Sequence, residues 1–305
     1  MTYSVIARDP VTGRIGIAVQ SHWFAVGRIV PWARAGVGGV AIQANGDPRL
    51  GPKSLELMSG GRTATEAIAS LMVNDPRQGV TQIAMVDAAG NVGAHTGAGC
   101  FPEAGHISGE DWSVQANLMA RPTVPEAMAR AYDEAHPRMQ FVDRLLAALQ
   151  AAENEGGDLR GRQSAAILIV ESGDAPRVDG CGDVVVNVRV DDHADPLGEI
   201  ERLAKLALAY RENELGLALS ESDFPGALEH WERAAELAPE NAELAFWRAV
   251  GLAEASRLDE ARLAFQIASA DSDVWSVVLG RLERMGFAAN GRGFSRFAAM
   301  MAADG

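Results

Sequence analysis

The sequence predicts an α+β protein in two parts: a layered domain over residues 1–196 and an all-helical part over 197–305. Composition divides there. Residues 1–196 hold 21 valines, 7 threonines and 11 prolines, whereas 197–305 hold 4 valines, no threonine and 2 prolines. Val and Thr fit the pleated surface of a strand; Ala, Leu, Glu and Arg fit a helix. The order of patterns in the first part is strands, helices, strands, helices, strands. That order lacks regular βαβ alternation and favours antiparallel sheets with helices packed outside them. In the second part, Ala227, Trp231, Ala234 and Pro239 are followed 34 residues later by Ala261, Phe265, Ala268 and Asp273. Small, large and small residues at spacings 0, 4 and 7 share one helical face.

The elements follow in order. Thr2–Arg8 and Arg14–Gln20 are β-like runs around the turn Asp9-Pro10-Val11-Thr12-Gly13, a hairpin signal. Val37–Gln43 is a Gly-rich third strand, and helical patterns follow at Pro52–Met58 and Thr63–Val73. Thr81–Val86 and Val92–His95 flank Ala88-Ala89-Gly90-Asn91 as a second hairpin. Trp112–Leu118 alternates as a strand does, and two helices fit Pro125–Glu134 and Arg138–Glu153. Ala165–Glu171 and Val184–Val190 are apolar and β-branched, the mark of buried strands.

Composition also excludes whole classes. The 305 residues are 48% hydrophobic and 22% charged, as in globular proteins rather than disordered or fibrous ones. A net charge of −14, from 41 acidic and 27 basic residues, repels phosphates and anionic lipid. The only lysines are Lys53 and Lys205, and no basic cluster offsets that charge, so no nucleic-acid partner is expected. The start MTYSVIARDP lacks the basic and apolar regions of a secretory signal, and no run approaches the ~18 apolar residues of a membrane span. A cytoplasmic address without a membrane partner is expected. Cys100 and Cys181 lack a CxxC partner and read as free thiols.

Several residues carry candidate chemistry. If Met1 is removed, Thr2 presents both a hydroxyl and an α-amine. An amine of pKa about 7.7–8.0 is a base near neutral pH, and it can activate the weak hydroxyl nucleophile. The bland reading is a threonine at a strand start. Gly156-Gly157-Asp158-Leu159-Arg160-Gly161-Arg162-Gln163-Ser164 joins a helix to a strand. Its glycines allow close approach of a ligand and its arginines can fork onto a carboxylate; a loop held by Asp158 and an arginine is an equal alternative. Asp191, Asp192, His193 and Asp195 have metal-binding side chains, but Asp195 before Pro196 suits a helix N-cap, and capping is preferred. Gln115 and Asn117 alternate onto one face of their strand. Arg34, Gln43, Asn45, Ser21-His22 and His95-Thr96-Gly97 sit at strand ends, where turns and sheet edges also explain them. Cys100, beside Phe101-Pro102, reads as an inert thiol rather than a nucleophile.

Together the segments Ser4–Pro10, Val30–Gly38, His95–Gly97, Gly157–Ser164 and Arg189–His193 resemble, in this order, the bacterial domain of unknown function 1028 family. That family is grouped with the N-terminal-nucleophile (Ntn) hydrolases. The resemblance covers roughly residues 2–196 and implies the four-layer αββα sandwich of that superfamily. It also implies a nucleophile at the first residue of the first strand, here Thr2. The superfamily's supporting lysine has no match, and Arg34 is the candidate substitute. The 34-residue period resembles the tetratricopeptide repeat, with Leu215-Gly216 and Ala249-Val250 at the positions of its first-helix signature.

The expected activity is therefore hydrolysis of an amide bond in a small molecule or peptide. Thr2, Asp158 and Asn117 are the candidate catalytic residues. Arg34, His95, Gln115, Arg160, Arg162, Gln163 and Ser164 are the candidate substrate contacts. Asn117, Gln115 or backbone N–H groups of the Gly157–Ser164 loop would meet the oxyanion. No metal or cofactor is expected; a homo-oligomer is, and a protein partner at the helical repeats. The alternative is a non-catalytic ligand-binding or scaffold protein.

Overall fold

The protein is described by a computed structural model covering residues 2–135, 139–173, 182–286 and 292–304. The chain runs through β1 (Thr2–Arg8), β2 (Ile15–Ser21), β3 (Pro31–Arg34), β4 (Gly38–Ala44), α1 (Leu50–Ser59) and α2 (Ala64–Met72). It continues through β5 (Thr81–Asp87), β6 (Val92–Thr96), β7 (Gly105–Gly109), β8 (Trp112–Asn117), α3 (Val124–Glu134) and α4 (Phe141–Asn154). Then come β9 (Ser164–Val170), β10 (Val184–Val190), α5 (Pro196–Leu219), α6 (Phe224–Leu237) and α7 (Ala242–Glu254). Finally α8 (Leu258–Ala268), α9 (Val274–Arg284) and α10 (Arg292–Asp304) follow.

Two antiparallel sheets form the first part: six strands in the order β10-β9-β2-β1-β8-β7 and four in the order β3-β4-β5-β6. The mixed α and β class expected from the sequence is present. Two strands escape the pattern reading, β3 and β7. Both are edge strands, where one unpaired side tolerates Pro31 in one and a glycine at each end of the other. The second expected helix pair begins at Val124 and Phe141; Arg138, the expected start of the latter, lies outside the described residues.

Local chemistry fixes the first hairpin. The Asp9 carboxylate accepts from the Thr12 amide at 3.2 Å and from its hydroxyl at 2.6 Å, while the Gly13 amide donates to the Asp9 carbonyl at 2.8 Å. Gly13 takes φ +71°, a conformation that favours glycine. The turn sets β1 against β2 from Thr2↔Ser21 to Arg8↔Ile15.

Side chains of both sheets meet in one apolar cluster that includes Ile6, Ile17, Val19, Ala41, Ala84 and Val86. A second cluster joins Val40, Ile42, Ile83 and Met85 of the four-stranded sheet to Leu55, Met58, Ala67 and Ile68 of α1 and α2. Helices α3 and α4 pack on the six-stranded sheet. Gly16 leaves the room this needs, since a methyl there would stand 2.7 Å from both Phe141 and Leu145 of α4. Helix α2 is fixed at its start by a Thr63–Glu66 capping box and by the buried Asp87 carboxylate, which accepts from the Ala64 amide at 3.0 Å.

The chain forms two compact units that divide within α5, after Ala204. In the second unit Ala227 and Trp231 share one core cluster with Ala261, Phe265 and Ala268, and Ala234 is buried as well. Pro239 lies between α6 and α7, and Asp273 stands at the N-cap of α9.

Candidate functional site

Strand β1 lies between β2 and β8, so Thr2 at its head has two register partners, Ser21 and Asn117. The Thr2 hydroxyl donates to Ser21 Oγ at 3.1 Å, and that oxygen also accepts from the Trp23 amide at 3.0 Å. The Thr2 carbonyl accepts from Gln43 Nε2 at 3.2 Å and from Asn117 Nδ2 at 3.4 Å. Both amides also donate to Gln82 Oε1, at 2.7 and 2.9 Å. Gln82 in turn donates to the Ala116 carbonyl and to Thr96 Oγ1, each at 2.9 Å, and Thr96 Oγ1 stands 2.8 Å from His106 Nδ1. Ser4 donates to Gln43 Oε1 at 2.8 Å and accepts from Gln115 Nε2 at 2.5 Å. Gln43, Gln82, Gln115 and Asn117 are all buried. Gln115 Oε1 and Asn117 Oδ1 are buried without a hydrogen-bond partner, while the bonds of the other amide atoms fix the arrangement of the network's members.

The Gly156–Ser164 segment borders the same end of the sheet. Asp158 makes a bridge with Met119, two residues beyond Asn117. Its buried carboxylate accepts from the His22 amide at 3.2 Å, and the Arg160 guanidinium forks onto it at 3.1 and 2.9 Å. The Gln163 amide donates to the Ser21 carbonyl at 3.1 Å. Ser164, opposite Ser21 in the register, donates from Oγ to the Trp23 carbonyl at 2.5 Å and accepts there from the Val26 amide. Arg162 pairs with Glu153 at 3.4 Å and Asp195 at 3.3 Å. Glu153 also accepts from the Tyr3 hydroxyl at 2.6 Å. Burial first, and then the Glu153 charge, push the Tyr3 phenol well above its usual range, so it stays a neutral donor.

Three non-glycine residues around this end have left-handed backbones: Ala25 (φ 54°), Ala44 (φ 57°) and Leu118 (φ 57°). The last two directly follow Gln43 and Asn117. Such conformations cost about 1–3 kcal/mol and persist where the surroundings fix them.

Of the residues picked out from the sequence, Thr2, Asn117, Gln115, Asp158, Arg160, Gln163 and Ser164 are therefore joined by bonds or shared partners at one end of the fold, and Arg162 ties into it through Glu153. Two others lie apart. Arg34 ends an edge strand, opposite Gly38, and adjoins a turn whose Gly36 touches Gly173 beyond the far end of β9. His95 points away from Gln82 and bonds the Gln78 carbonyl at 2.8 Å. Neither meets Thr2 through a bond described here. Ser4, Ser21, Gln43 and Gln82 complete the site, though sequence reading gave them no role. Their signal is an uncharged polar residue at an inward position of an otherwise apolar strand.

The acidic candidates have local partners. Asp195 accepts from the Gly198 amide at 3.4 Å as a cap of α5, Asp191 pairs with Arg189, and Asp192 accepts from Gln163. Among the described residues no three His, Cys, Asp or Glu side chains are grouped to hold a metal. Burial pushes the Cys100 thiol up, against nucleophilic use, and Cys181 lies outside the described residues. Among the described residues no helix is long and apolar enough to cross a membrane.

The fold and site define a two-sheet α+β protein whose first strand begins inside a buried polar network. Residues 2–200 match the family model described as "Family of unknown function (DUF1028)", and the chain belongs to that family. A crystal structure of a protein from Silicibacter pomeroyi, assigned to the same family model, is similar at 28% identity and a TM-score of 0.59. The similarity covers 73% of this chain and 88% of that one. No curated protein matches the chain.

Proposed function

We propose that the chain is an Ntn-type hydrolase of an amide bond, with Thr2 as its nucleophile once Met1 is removed. The observation that carries this reading is the setting of Thr2: a hydroxyl on Ser21 and a backbone carbonyl held by two buried carboxamides. Two facing sheets with helix pairs against each support the four-layer αββα reading of residues 2–196. In this mechanism the α-amine takes the hydroxyl proton as Oγ1 attacks the substrate carbonyl. The C–N bond breaks, the amine product leaves with that proton, and water releases the acyl group.

Asn117 and Gln43 act as positioning residues, because their N–H groups already hold the Thr2 carbonyl. The backbone N–H groups of Gly157, Leu159, Arg160, Gly161 and Gln163 already donate within the fold, so these amides hold the 157–164 turn in place beside Ser21 and do not serve the oxyanion. Asp158 anchors that turn to His22. We read the second unit as a tetratricopeptide-like module that binds a protein partner, supported by the matched pairs Ala227 with Ala261 and Trp231 with Phe265 in one core.

Labelling with a reactive β-lactone, read by intact mass, tests the nucleophile. Wild type gains one lactone mass and Thr2→Ala gains none. Equal labelling of both overturns Thr2 as nucleophile, and no labelling of either favours the binding reading.

A further inference from the structure

A cavity of about 370 Å³ lies at the end of β1 opposite Thr2, between the ends of β1 and β7, the start of β8, and helices α3 and α4. The seven residues of β1 put it about 20 Å from Thr2. Its size suits a small molecule. Two polar side chains that line it are buried: Tyr132 and Arg144 are each 3% exposed. Arg144 pairs with Asp9 and lies 5.7 Å from the centre of the Tyr132 ring. Tyr132 packs against Trp112 with ring centroids 5.5 Å apart. The Tyr132 hydroxyl, in contrast, bonds to no described residue, and its oxygen is not sealed in the core. A buried phenol ordinarily finds a partner; this one reaches the cavity without one. Burial raises its pKa most. Arg144 opposes that, and the charges of Asp9, Asp111 and Asp133 add to it, so the phenol stays neutral and can accept a bond from a donor.

Charge decides what kind of donor fits. Arg8 pairs with Asp111 at 3.4 Å and donates to the Ala88 carbonyl at 3.0 Å, and Asp9 neutralises Arg144. Glu110 and Asp133 also line the cavity, as exposed carboxylates with no ion pair among the described residues. With Asp9 behind Arg144, four carboxylates stand against two guanidiniums. A cation that carries N–H groups answers both features: its charge offsets Glu110 and Asp133, and an N–H donates to Tyr132 Oη. We propose that this cavity binds a small protonated organic amine. Its ammonium group meets the Tyr132 hydroxyl and the Glu110 and Asp133 carboxylates, and its apolar body lies against Trp112 and Pro10. The site is separate from Thr2 and does not rest on the hydrolase reading.

Ligand-observed NMR on the full chain tests it with three compounds of similar size: phenethylamine, 2-phenylethanol and phenylacetate. Wild type is expected to bind phenethylamine about tenfold more tightly than the neutral or the anionic compound. Tyr132→Phe keeps the ring and removes only a hydroxyl that bonds to nothing in the fold. Without amine it is expected to melt with wild type in circular dichroism, and to bind phenethylamine about fivefold more weakly. Asp133→Asn, at an exposed position, is expected to weaken phenethylamine about threefold and to narrow its preference over 2-phenylethanol. None of the three compounds carries an amide, so the outcome is independent of Thr2.

Equal binding of the three compounds by wild type overturns the proposal. Tighter binding of phenylacetate also overturns it and marks an anion site at Arg8 instead. Phenethylamine binding unchanged in either variant overturns it as well, and assigns the amine to the acidic surface of a chain with net charge −14. A Tyr132→Phe protein that melts lower than wild type without amine shows that the hydroxyl serves the fold, and this too overturns the proposal.

Discussion

Gln43 is the residue on which the site's polar network converges: its amide reaches the Thr2 carbonyl, Gln82 and the Gln115 carbonyl. Gln43→Leu keeps the size and removes those bonds, leaving buried acceptors short of donors. It is expected to cost about 1–3 kcal/mol in urea unfolding and to slow Thr2 labelling beyond what the loss of folded protein explains. Asp9 gives a prediction in pH. Burial raises its carboxyl pKa, but the Thr12 hydroxyl bond and the Arg144 guanidinium outweigh burial and hold it below the usual carboxylate range. A folded pKa below the unfolded value contributes stability that is present above about pH 4 and lost as pH falls through the folded pKa. The stability gap between wild type and Asp9→Asn, measured by urea unfolding, is therefore expected to be widest above pH 4 and to narrow below it. At this scale Thr2, Asn117 and Asp158 were legible because each has an unusual position: a chain start, an alternating polar pair, a Gly-rich turn. Gln43 was noticed only as the end of a Gly-rich strand and Gln82 not at all. Their meaning appears only when two sheets face each other.

Elements divide by where they sit in the sheets. Strand β1 occupies the predicted span and β2 is shifted by one residue, because a Pro- and Gly-containing turn fixes the hairpin locally. The edge strands β3 and β7 were missed because edge strands need no apolar alternation and carry Pro and Gly. Among the helices, packing around Trp231 explains two glycines. A methyl at Gly216 would meet the indole at its Nε1 edge, at 2.5 Å, and one at Gly251 would contact its six-membered ring. Gly216 was read from the sequence only as part of a weak repeat signature; its cause is the volume of one side chain on α6. Gly251→Ala is expected to destabilise the second unit by about 1–3 kcal/mol through overpacking, read as a lower melting temperature in circular dichroism. An unchanged melt would mean that Trp231 swings aside without cost.

For the whole molecule, the composition change near residue 196 and the structural division after Ala204 differ by about two helical turns. The difference is physical: Leu197, Ile200 and Ala204 are buried, and all three group with the first unit. Composition cannot see which body a helix end joins. A fragment ending at 204 is expected to unfold more cooperatively than one ending at 196, which loses burial of Leu197 and Ile200 worth about 3–6 kcal/mol. Equal stability of the two fragments in urea would place the division at 196. Family membership was legible from five ordered segments and is shown over residues 2–200. The activity was not, since that family is described only as one of unknown function.

The central claim is that Thr2 is a free N-terminal nucleophile, and intact-mass spectrometry before and after β-lactone treatment tests it most directly. The account predicts a chain lacking Met1 that gains a single lactone mass, with the adduct on the peptide beginning at Thr2. A chain that keeps Met1, or an adduct that persists in Thr2→Ala, contradicts it.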